Sequence, residues 1–303
     1  MIWLELLAGW HSRVLAMSPP ATPHRVAFGL HRPAEVAAAR TLSVAAVVPT
    51  RNEADAIAPI VRELVALREA DVLDRVVVAD DSDDGTAALA EAAGADVVRQ
   101  ADLDPALGAV RGKGDAMWRA LGVIDEDIVC FVDGDTEGFG PQHVVGLVGA
   151  VAVDGHTFAK GRYRRPFVDV RGAQPTGGGR VTELTAKPLL RQLFPELAGF
   201  EQPLAGELAA RTDLLRGVPM ATGYAVDVAL LIDVWQQLGL GGMAEVDLGE
   251  RQNRHRPLSE LAAMATEVAA AILDRAGILP PDAEPLVERP PRGMPATGRP
   301  ALR

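Results

Sequence analysis

The amino-acid sequence predicts an α/β fold in which a mainly parallel sheet carries helices on both faces. Three observations lead there. From residue 42 to residue 132, short and almost wholly apolar runs alternate with stretches whose apolar residues recur at helical spacing. Polar turns rich in Asp, Asn or Gly close three of those runs, as where parallel strands present their carboxyl ends to a ligand crevice. Aromatic residues make up only 4% of the chain against 30 glycines and abundant alanine, which favours close backbone packing in 303 residues, enough to bury a large core.

The elements follow in order. Residues 1–40 form an N-terminal segment, and its start, Met1 to Trp10, has Glu5 where a secretory leader needs basic charge. Too short to cross a bilayer, it is expected to be a surface segment or an overcalled start, with Met17 as an alternative initiator. Leu42 to Val48 is the first strand; it runs into Pro49-Thr50-Arg51-Asn52-Glu53, and Ile57, Ile60, Val61, Leu64 and Leu67 mark the helix behind it. Arg75 to Ala79 is the second strand, followed by the turn Asp80 to Thr86, an Ala-rich helix closed by Gly94, and a short strand at Asp96 to Val98. Gly112-Lys113-Gly114 opens the next helix, and the strand Ile128 to Val132 ends in Asp133-Gly134-Asp135. The chain thus divides into an α/β part at 41–155 and a less regular part at 156–279, where a strand is expected near Thr157 to Lys160 and helices at Val181–Leu193, Leu204–Arg216, Val226–Leu238 and Leu258–Ala276. Residues 280–303 hold seven of the 22 prolines and no aromatic residue, so they read as a disordered tail.

A net charge of -11 opposes nonspecific attraction to nucleic acid or anionic lipid, so any bound anion has to be met by a local basic cluster. Apolar stretches are broken by charges well before about 18 residues, which argues against a membrane span. The one cysteine, Cys130, lies inside an apolar strand and reads as a buried structural thiol of a reducing compartment, the cytoplasm.

Chemistry-bearing residues collect where the strands end. Asn52-Glu53, Asp80-Asp81 and Asp133-Gly134-Asp135 form three arms of one crevice, although Asp80 to Asp84 could equally serve as turn and cap residues. Two carboxylates spaced as Asp133 and Asp135 at a strand tip can hold Mg²⁺ or Mn²⁺ that itself grips a diphosphate, and Gly134 lets the backbone approach a ligand. Lys113 is a candidate phosphate contact, but its surroundings lack the spacing and the Ser or Thr of a P-loop. The stretch Thr176-Gly177-Gly178-Gly179-Arg180 offers backbone amides at a helix start followed by an arginine, a cradle for phosphate or carboxylate if it is not simply a flexible loop. Arg162, Arg164 and Arg165, and then Arg251, Arg254, His255 and Arg256, are the basic clusters of this acidic chain.

Several segments together carry a resemblance: Val48 to Glu53, Gly112 to Asp115, Phe131 to Asp135, Tyr163-Arg164-Arg165-Pro166, Thr176 to Leu184, Gln202 to Glu207 and Gly223 to Asp227. In this order, from about residue 23 to 275, the chain resembles the glucosyl-3-phosphoglycerate synthases, retaining glycosyltransferases of the GT-A type with a Rossmann-like sheet. The resemblance implies a nucleotide-sugar-binding part at 41–155 and an acceptor-binding part at 156–279. It implies that Pro49, Thr50, Arg51, Asn52, Glu53, Asp81, Lys113, Asp133 and Gly134 hold uridine diphosphate, and that Asp135 binds the metal. Gly179, Arg180, Val181 and Thr182 would hold 3-phosphoglycerate, with Tyr224, Arg251 and His255 also facing substrate. Asp135, Asp227 and Arg180 would act at the reacting centre. Asp227 stands where relatives have glutamate, one methylene shorter, which opens the question of sugar preference. Asn253 takes the place of the family's metal histidine while His255 sits two residues on, so either could be the further metal ligand.

The expected reaction is transfer of glucose from UDP-glucose to the 2-hydroxyl of 3-phosphoglycerate with retained configuration, assisted by Mg²⁺ or Mn²⁺, in a cytoplasmic homodimer. The alternatives kept are a GDP-mannose-dependent mannosyl-3-phosphoglycerate synthase and a nucleotide-sugar binding protein without turnover.

Overall fold

The computed structural model describes residues 22–165, 167–169, 172–174, 179–251 and 258–292. Its strands in chain order are β1 (His24–Val26), β2 (Val44–Thr50), β3 (Arg75–Asp80), β4 (Asp96–Arg99), β5 (Ile128–Phe131), β6 (Phe158–Arg164), β7 (Phe167–Asp169), β8 (Gly172–Gln174), β9 (Leu208–Arg211), β10 (Met220–Ala221), β11 (Met243–Glu250) and β12 (Glu288–Arg289). Eight of them form one sheet in the order β1-β11-β6-β9-β5-β2-β3-β4. Every pairing is parallel except those of β9, which runs antiparallel to both β5 and β6. Two short antiparallel pairs, β7 with β8 and β10 with β12, stand apart.

Alternation along β2 sorts side chains between two cores. Ala45 and Val47 face one that gathers the helices Lys113–Ala120, Lys187–Leu193, Val226–Leu238 and Leu258–Arg275. Val44, Ala46 and Val48 face the other, built from Pro33–Ala39, Ile57–Glu69, Thr86–Ala92 and Gln142–Ala152. Strands buried on both faces must be apolar throughout, which is why the runs at 44–48, 76–79 and 128–132 could be read directly. Burial pushes the Cys130 thiol far above its ordinary range, as befits an inert core residue.

The structure corrects four expectations. The helix expected at Leu204–Arg216 is the strand β9 followed by a short helix at Thr212–Arg216. Leu208-Ala209-Ala210 favours helix locally, yet these small side chains fit the fully buried slot between β5 and β6, and tertiary burial overrides propensity. The helix at Val181–Leu193 contains a π turn at Thr182–Ala186 before the α-helix Lys187–Leu193. The strands β1, β6, β9 and β11, all outside residues 41–155, enter the same sheet as β2 to β5, so the expected division does not separate two sheets. Finally, residues 280–292 of the expected tail are packed: β12 pairs with β10, and its arginines enter ion pairs that proline-rich composition does not announce.

Candidate active site

All strands of the main sheet but β9 point the same way, so their carboxyl ends share one edge, and antiparallel β9 delivers its beginning, Gly206-Glu207, to that same edge. Here the predicted arms meet. After β2 the chain turns through Asn52, whose φ of +59° is one that asparagine tolerates. Its amide donates to Ser82 Oγ (2.8 Å) and its Oδ1 accepts from the Asp83 amide (3.1 Å), joining the loops after β2 and β3. A cleft of about 280 Å³ opens there, lined by Arg51, Asn52, Asp80, Asp81, Ser82 and Arg99. Thr50 and Asp80 are committed to the fold: Thr50 Oγ1 and Ser82 Oγ both donate to Asp80 Oδ1, at 2.8 and 2.6 Å. Asp84 caps Thr86 through its amide and hydroxyl, so the turn reading holds for Asp80 and Asp84. The Glu53 amide donates to Thr86 Oγ1 (2.9 Å). Pro49 and Gly134 lie together, because a Cβ on Gly134 would stand 2.9 Å from Thr50 Cγ2 and 3.5 Å from the Pro49 carbonyl oxygen.

Beside this cleft lies a knot of charges. Lys113 Nζ, at the first position of its helix, is 2.8 Å from Asp133 Oδ1 and 3.3 Å from Asp227 Oδ2. Arg251, almost fully buried, reaches Asp133 Oδ2 and Asp135 Oδ1, each at 3.0 Å, and also pairs with Glu207. Burial alone would strip these groups of charge, and it does push the Glu207 and Asp227 carboxyls upward. At Asp133 the Lys113 and Arg251 cations outweigh burial and hold the carboxyl far below its usual range. Asp133 and Asp227 in turn keep Lys113 firmly protonated against burial. Lys160 of β6, fully buried, donates to the backbone oxygens of Ala205 (2.7 Å) and Asp227 (3.3 Å), and burial pushes it down to about 8. Gly206 closes the knot from above, for a Cβ there would lie 2.2 Å from both Lys113 Nζ and Asp133 Oδ1. Asp227 Oδ1 is buried with no hydrogen-bond partner among the described residues, an orphan acceptor that calls for a donor.

Tyr163 links the knot to the glycine-arginine segment. The guanidinium groups of Arg165 (4.9 Å to the centroid) and Arg251 (5.3 Å) both lie against its ring, and its hydroxyl accepts from Arg165 Nη2 at 2.7 Å. Gly179, at φ +78°, lies where a Cβ would be 3.4 Å from Arg165 Nη1 and 3.6 Å from Thr182 Oγ1. Arg180 and Val181 begin the helix that follows, with Thr182 buried. Tyr224 is 41% exposed ahead of Asp227, its amide donating to Glu267 Oε2. The structure therefore brings Pro49, Thr50, Arg51, Asn52, Glu53, Asp81, Lys113, Asp133, Gly134, Asp135, Asp227 and Arg251 to one edge, and joins Gly179 to it through Arg165 and Tyr163. Asn253, His255 and Thr176 to Gly178 lie outside the described residues. Sequence reasoning assigned no part to Tyr163, Lys160 or Glu207. A lysine within the apolar run Phe158-Ala159-Lys160 was the available signal for one of them, since a buried cation needs partners.

For the metal, the donor chemistry fits. Asp135 offers carboxylate oxygens with about a third of the side chain exposed, and hard oxygen donors suit Mg²⁺ and Mn²⁺. Among the described residues no group of three His, Cys, Asp or Glu side chains could hold a metal ion, so Asp135 would need other donors beside it.

Comparison with known proteins places the chain in a family. The Glycosyl transferase family 2 model matches residues 45–205, which span β2 through the loop before β9. The chain is 45% identical over 245 residues to the glucosyl-3-phosphoglycerate synthase of Mycolicibacterium paratuberculosis, covering 80% of this chain and 74% of that one. It belongs to the glucosyl-3-phosphoglycerate synthase family. The family member of Mycobacterium tuberculosis is 42% identical over 267 residues, or 87% of this chain and 82% of that one. A crystal structure of the Mycobacterium tuberculosis enzyme with Mn²⁺, UDP-glucose and phosphoglyceric acid superposes with a TM-score of 0.79 at 37% identity, covering 89% of this chain and 97% of that chain. Mannosyl-3-phosphoglycerate synthase from Rubrobacter xylanophilus gives a TM-score of 0.81 at 43% identity, covering 88% and 96%. The GT-A type α/β fold expected from the sequence is thus the family's fold.

Proposed function

We propose that this chain transfers glucose from UDP-glucose to the 2-hydroxyl of 3-phosphoglycerate with retention of configuration, giving glucosyl-3-phosphoglycerate. The observation that carries the reading is Lys113 held between Asp133 and Asp227: a protonated amine 3.3 Å from a carboxylate whose other oxygen has no hydrogen-bond partner among the described residues. Lys113 and Arg251 meet the donor diphosphate and exchange contacts with Asp133 and Asp135 for contacts with phosphate oxygens. Arg51, Asn52 and Asp81, on the cleft wall, bind the nucleoside end. Asp227 Oδ1 accepts a hydrogen bond from a sugar hydroxyl, which supplies its missing donor. Gly179, Arg180 and Thr182 fix the acceptor phosphate, an orienting effect rather than covalent catalysis.

Asp135, with Asn253 or His255, would hold the divalent cation, which when bound neutralises charge developing on the leaving diphosphate. The bond from the anomeric carbon to the diphosphate oxygen breaks as the bond to the acceptor oxygen forms on the same face, and the released diphosphate oxygen takes the acceptor proton. No side-chain nucleophile takes part in this scheme.

A second reading stays in view because the Rubrobacter xylanophilus relative, at 43% identity, is a mannosyl-3-phosphoglycerate synthase. Asp227, one methylene shorter than the glutamate that the resemblance implies at this position, is where the two sugars would be told apart. The homodimer that the resemblance implies and a cytoplasmic setting belong to this proposal. The buried thiol of Cys130 supports the latter, and among the described residues no helix is long and apolar enough to cross a membrane. The test is a matrix of UDP-glucose, ADP-glucose and GDP-mannose against 3-phosphoglycerate, with Mg²⁺ or with chelator. Turnover with UDP-glucose that chelator abolishes is expected. Turnover with GDP-mannose alone selects the second reading, and UDP binding with no consumption of 3-phosphoglycerate under any donor overturns both.

A further inference from the structure

The segment at 286–292 touches the helix that opens with Lys113 and is linked, through Arg275, to the helix whose first turn carries Asp227. We propose that it is a positioning strap, in which Arg289 and Glu288 together hold Lys113 against Asp227 and so set the affinity for the sugar donor. The inference rests on the assignment of Lys113 to the donor diphosphate.

Successive residues of a strand point to opposite faces, and β12 uses both. Arg289 turns to the Lys113–Ala120 helix and forms a fork with Asp115, Nε to Oδ1 at 2.7 Å and Nη2 to Oδ2 at 2.8 Å. Asp115 is fully buried in the first turn, two residues after Lys113, and its Oδ2 also accepts from the Arg111 amide at 2.9 Å. The fork therefore grips the backbone on both sides of Lys113. Glu288 turns the other way, to Arg275 (2.7 Å), which is itself paired with Asp233 at 2.9 and 2.7 Å. Asp233 lies on the Val226–Leu238 helix, whose first turn carries Asp227.

The strap's backbone completes the coupling. Val287 O accepts from the amide (2.9 Å) and the hydroxyl (3.0 Å) of Thr222, just before Tyr224, and Thr222 O accepts from the Asp115 amide at 3.1 Å. Gly114 rests so closely on this stretch that a Cβ would stand 1.7 Å from Ala221 O. Beyond β12, Arg292 lies over the Trp118 ring (4.1 Å) and donates to Trp118 O (2.9 Å), while Trp118 Nε1 donates to Pro290 O (2.7 Å). A planar guanidinium fork fixes orientation as well as distance, which a lysine ammonium does not. Were the strap merely a stabiliser of the fold, weakening it would lower the melting temperature without separating donor from acceptor constants.

The experiment compares full-length wild type with Arg289→Lys, which keeps the charge on buried Asp115 but loses the fork, and with Glu288→Gln. Each is measured for thermal melting, for KM of UDP-glucose and of 3-phosphoglycerate, and for UDP affinity by calorimetry. We expect Arg289→Lys to raise the donor KM and the UDP Kd about tenfold and Glu288→Gln to raise them about threefold, with the acceptor KM held within twofold. Unchanged donor constants, or equal increases for donor and acceptor, in variants that fold overturn the strap. Hydrogen exchange on the wild type keeps the question open to test if the variants do not fold: UDP should slow exchange of the Thr222 and Arg289 amides, and exchange indifferent to UDP overturns it. Lys113→Ala separates the two levels. If UDP affinity survives that substitution, the assignment of Lys113 fails; if it is lost while Arg289→Lys behaves as wild type, only the strap does.

Discussion

Replacing Gly206 by alanine tests the geometry of the charged knot at its tightest point. The backbone at this residue is not in the left-handed region, so alanine is conformationally acceptable and the disturbance stays local. Its Cβ would lie 2.2 Å from Lys113 Nζ and from Asp133 Oδ1, and 2.5 Å from Asp133 Oδ2, whereas ordinary contact begins at 3.4 Å. Lys113 can retreat along its flexible stem, but Asp133 is short and tethered to Arg251, so the 2.8 Å ion pair must lengthen by about an ångström. At an effective dielectric of about 20, that weakens the attraction by about 1–2 kcal/mol. Misplacing a reacting arrangement by about 1 Å costs on the order of 100-fold in rate. The expected result is a fall in kcat/KM for UDP-glucose of about 100-fold, with UDP affinity reduced by about tenfold. Overpacking costs about 1–3 kcal/mol of stability, so the protein still melts cooperatively. Initial rates of UDP release, calorimetry with UDP and a thermal melt make the measurement. A Gly206→Ala enzyme within threefold of wild type in kcat/KM, with UDP affinity unmoved, would refute the reasoning.

Two further outcomes are expected. Arg180→Ala should raise the KM for 3-phosphoglycerate by about 10- to 100-fold, the worth of a charge-assisted contact to phosphate, with UDP affinity within twofold; equal loss of both would count against the acceptor cradle. Glu245→Gln should flatten the dependence of stability on pH. Glu245 is fully buried on β11, accepts from the Glu201 (2.5 Å) and Gln202 (3.3 Å) amides, and is pushed by burial from 4.5 to about 7. The folded state therefore favours its protonated form, a contribution complete below pH 4.5 and lost as pH rises through about 7, about 3 kcal/mol in all. Melting from pH 5 to 8.5 should show the variant gaining on wild type as pH rises, and parallel curves would sink this account.

Much of residues 41–155 was legible in the sequence because their strands are buried on both faces and the polar turns follow them immediately. Pro49 to Asn52, Asp81 and Asp133 to Asp135 could be placed at one edge from alternation alone. Lys113 could be read as a candidate phosphate contact, but its pairing with Asp227, 114 residues away, could not be read. β9 was misread because Leu208, Ala209 and Ala210 carry no local sign of the slot they fill. Arg289 was misread because proline-rich composition describes the failure to build a core, not the ability to be held by one.

The order of residues by itself determined the strands β2 to β5, where they end, and which polar groups they deliver to the carboxyl edge, since periodicity and turn chemistry are local properties of the chain. Only the tertiary structure decided that β9 enters the sheet backwards to bring Gly206 and Glu207 to that edge, and that β12 reaches back to Asp115. Both depend on burial and on ion pairs between residues far apart in sequence, whose partners no local pattern specifies.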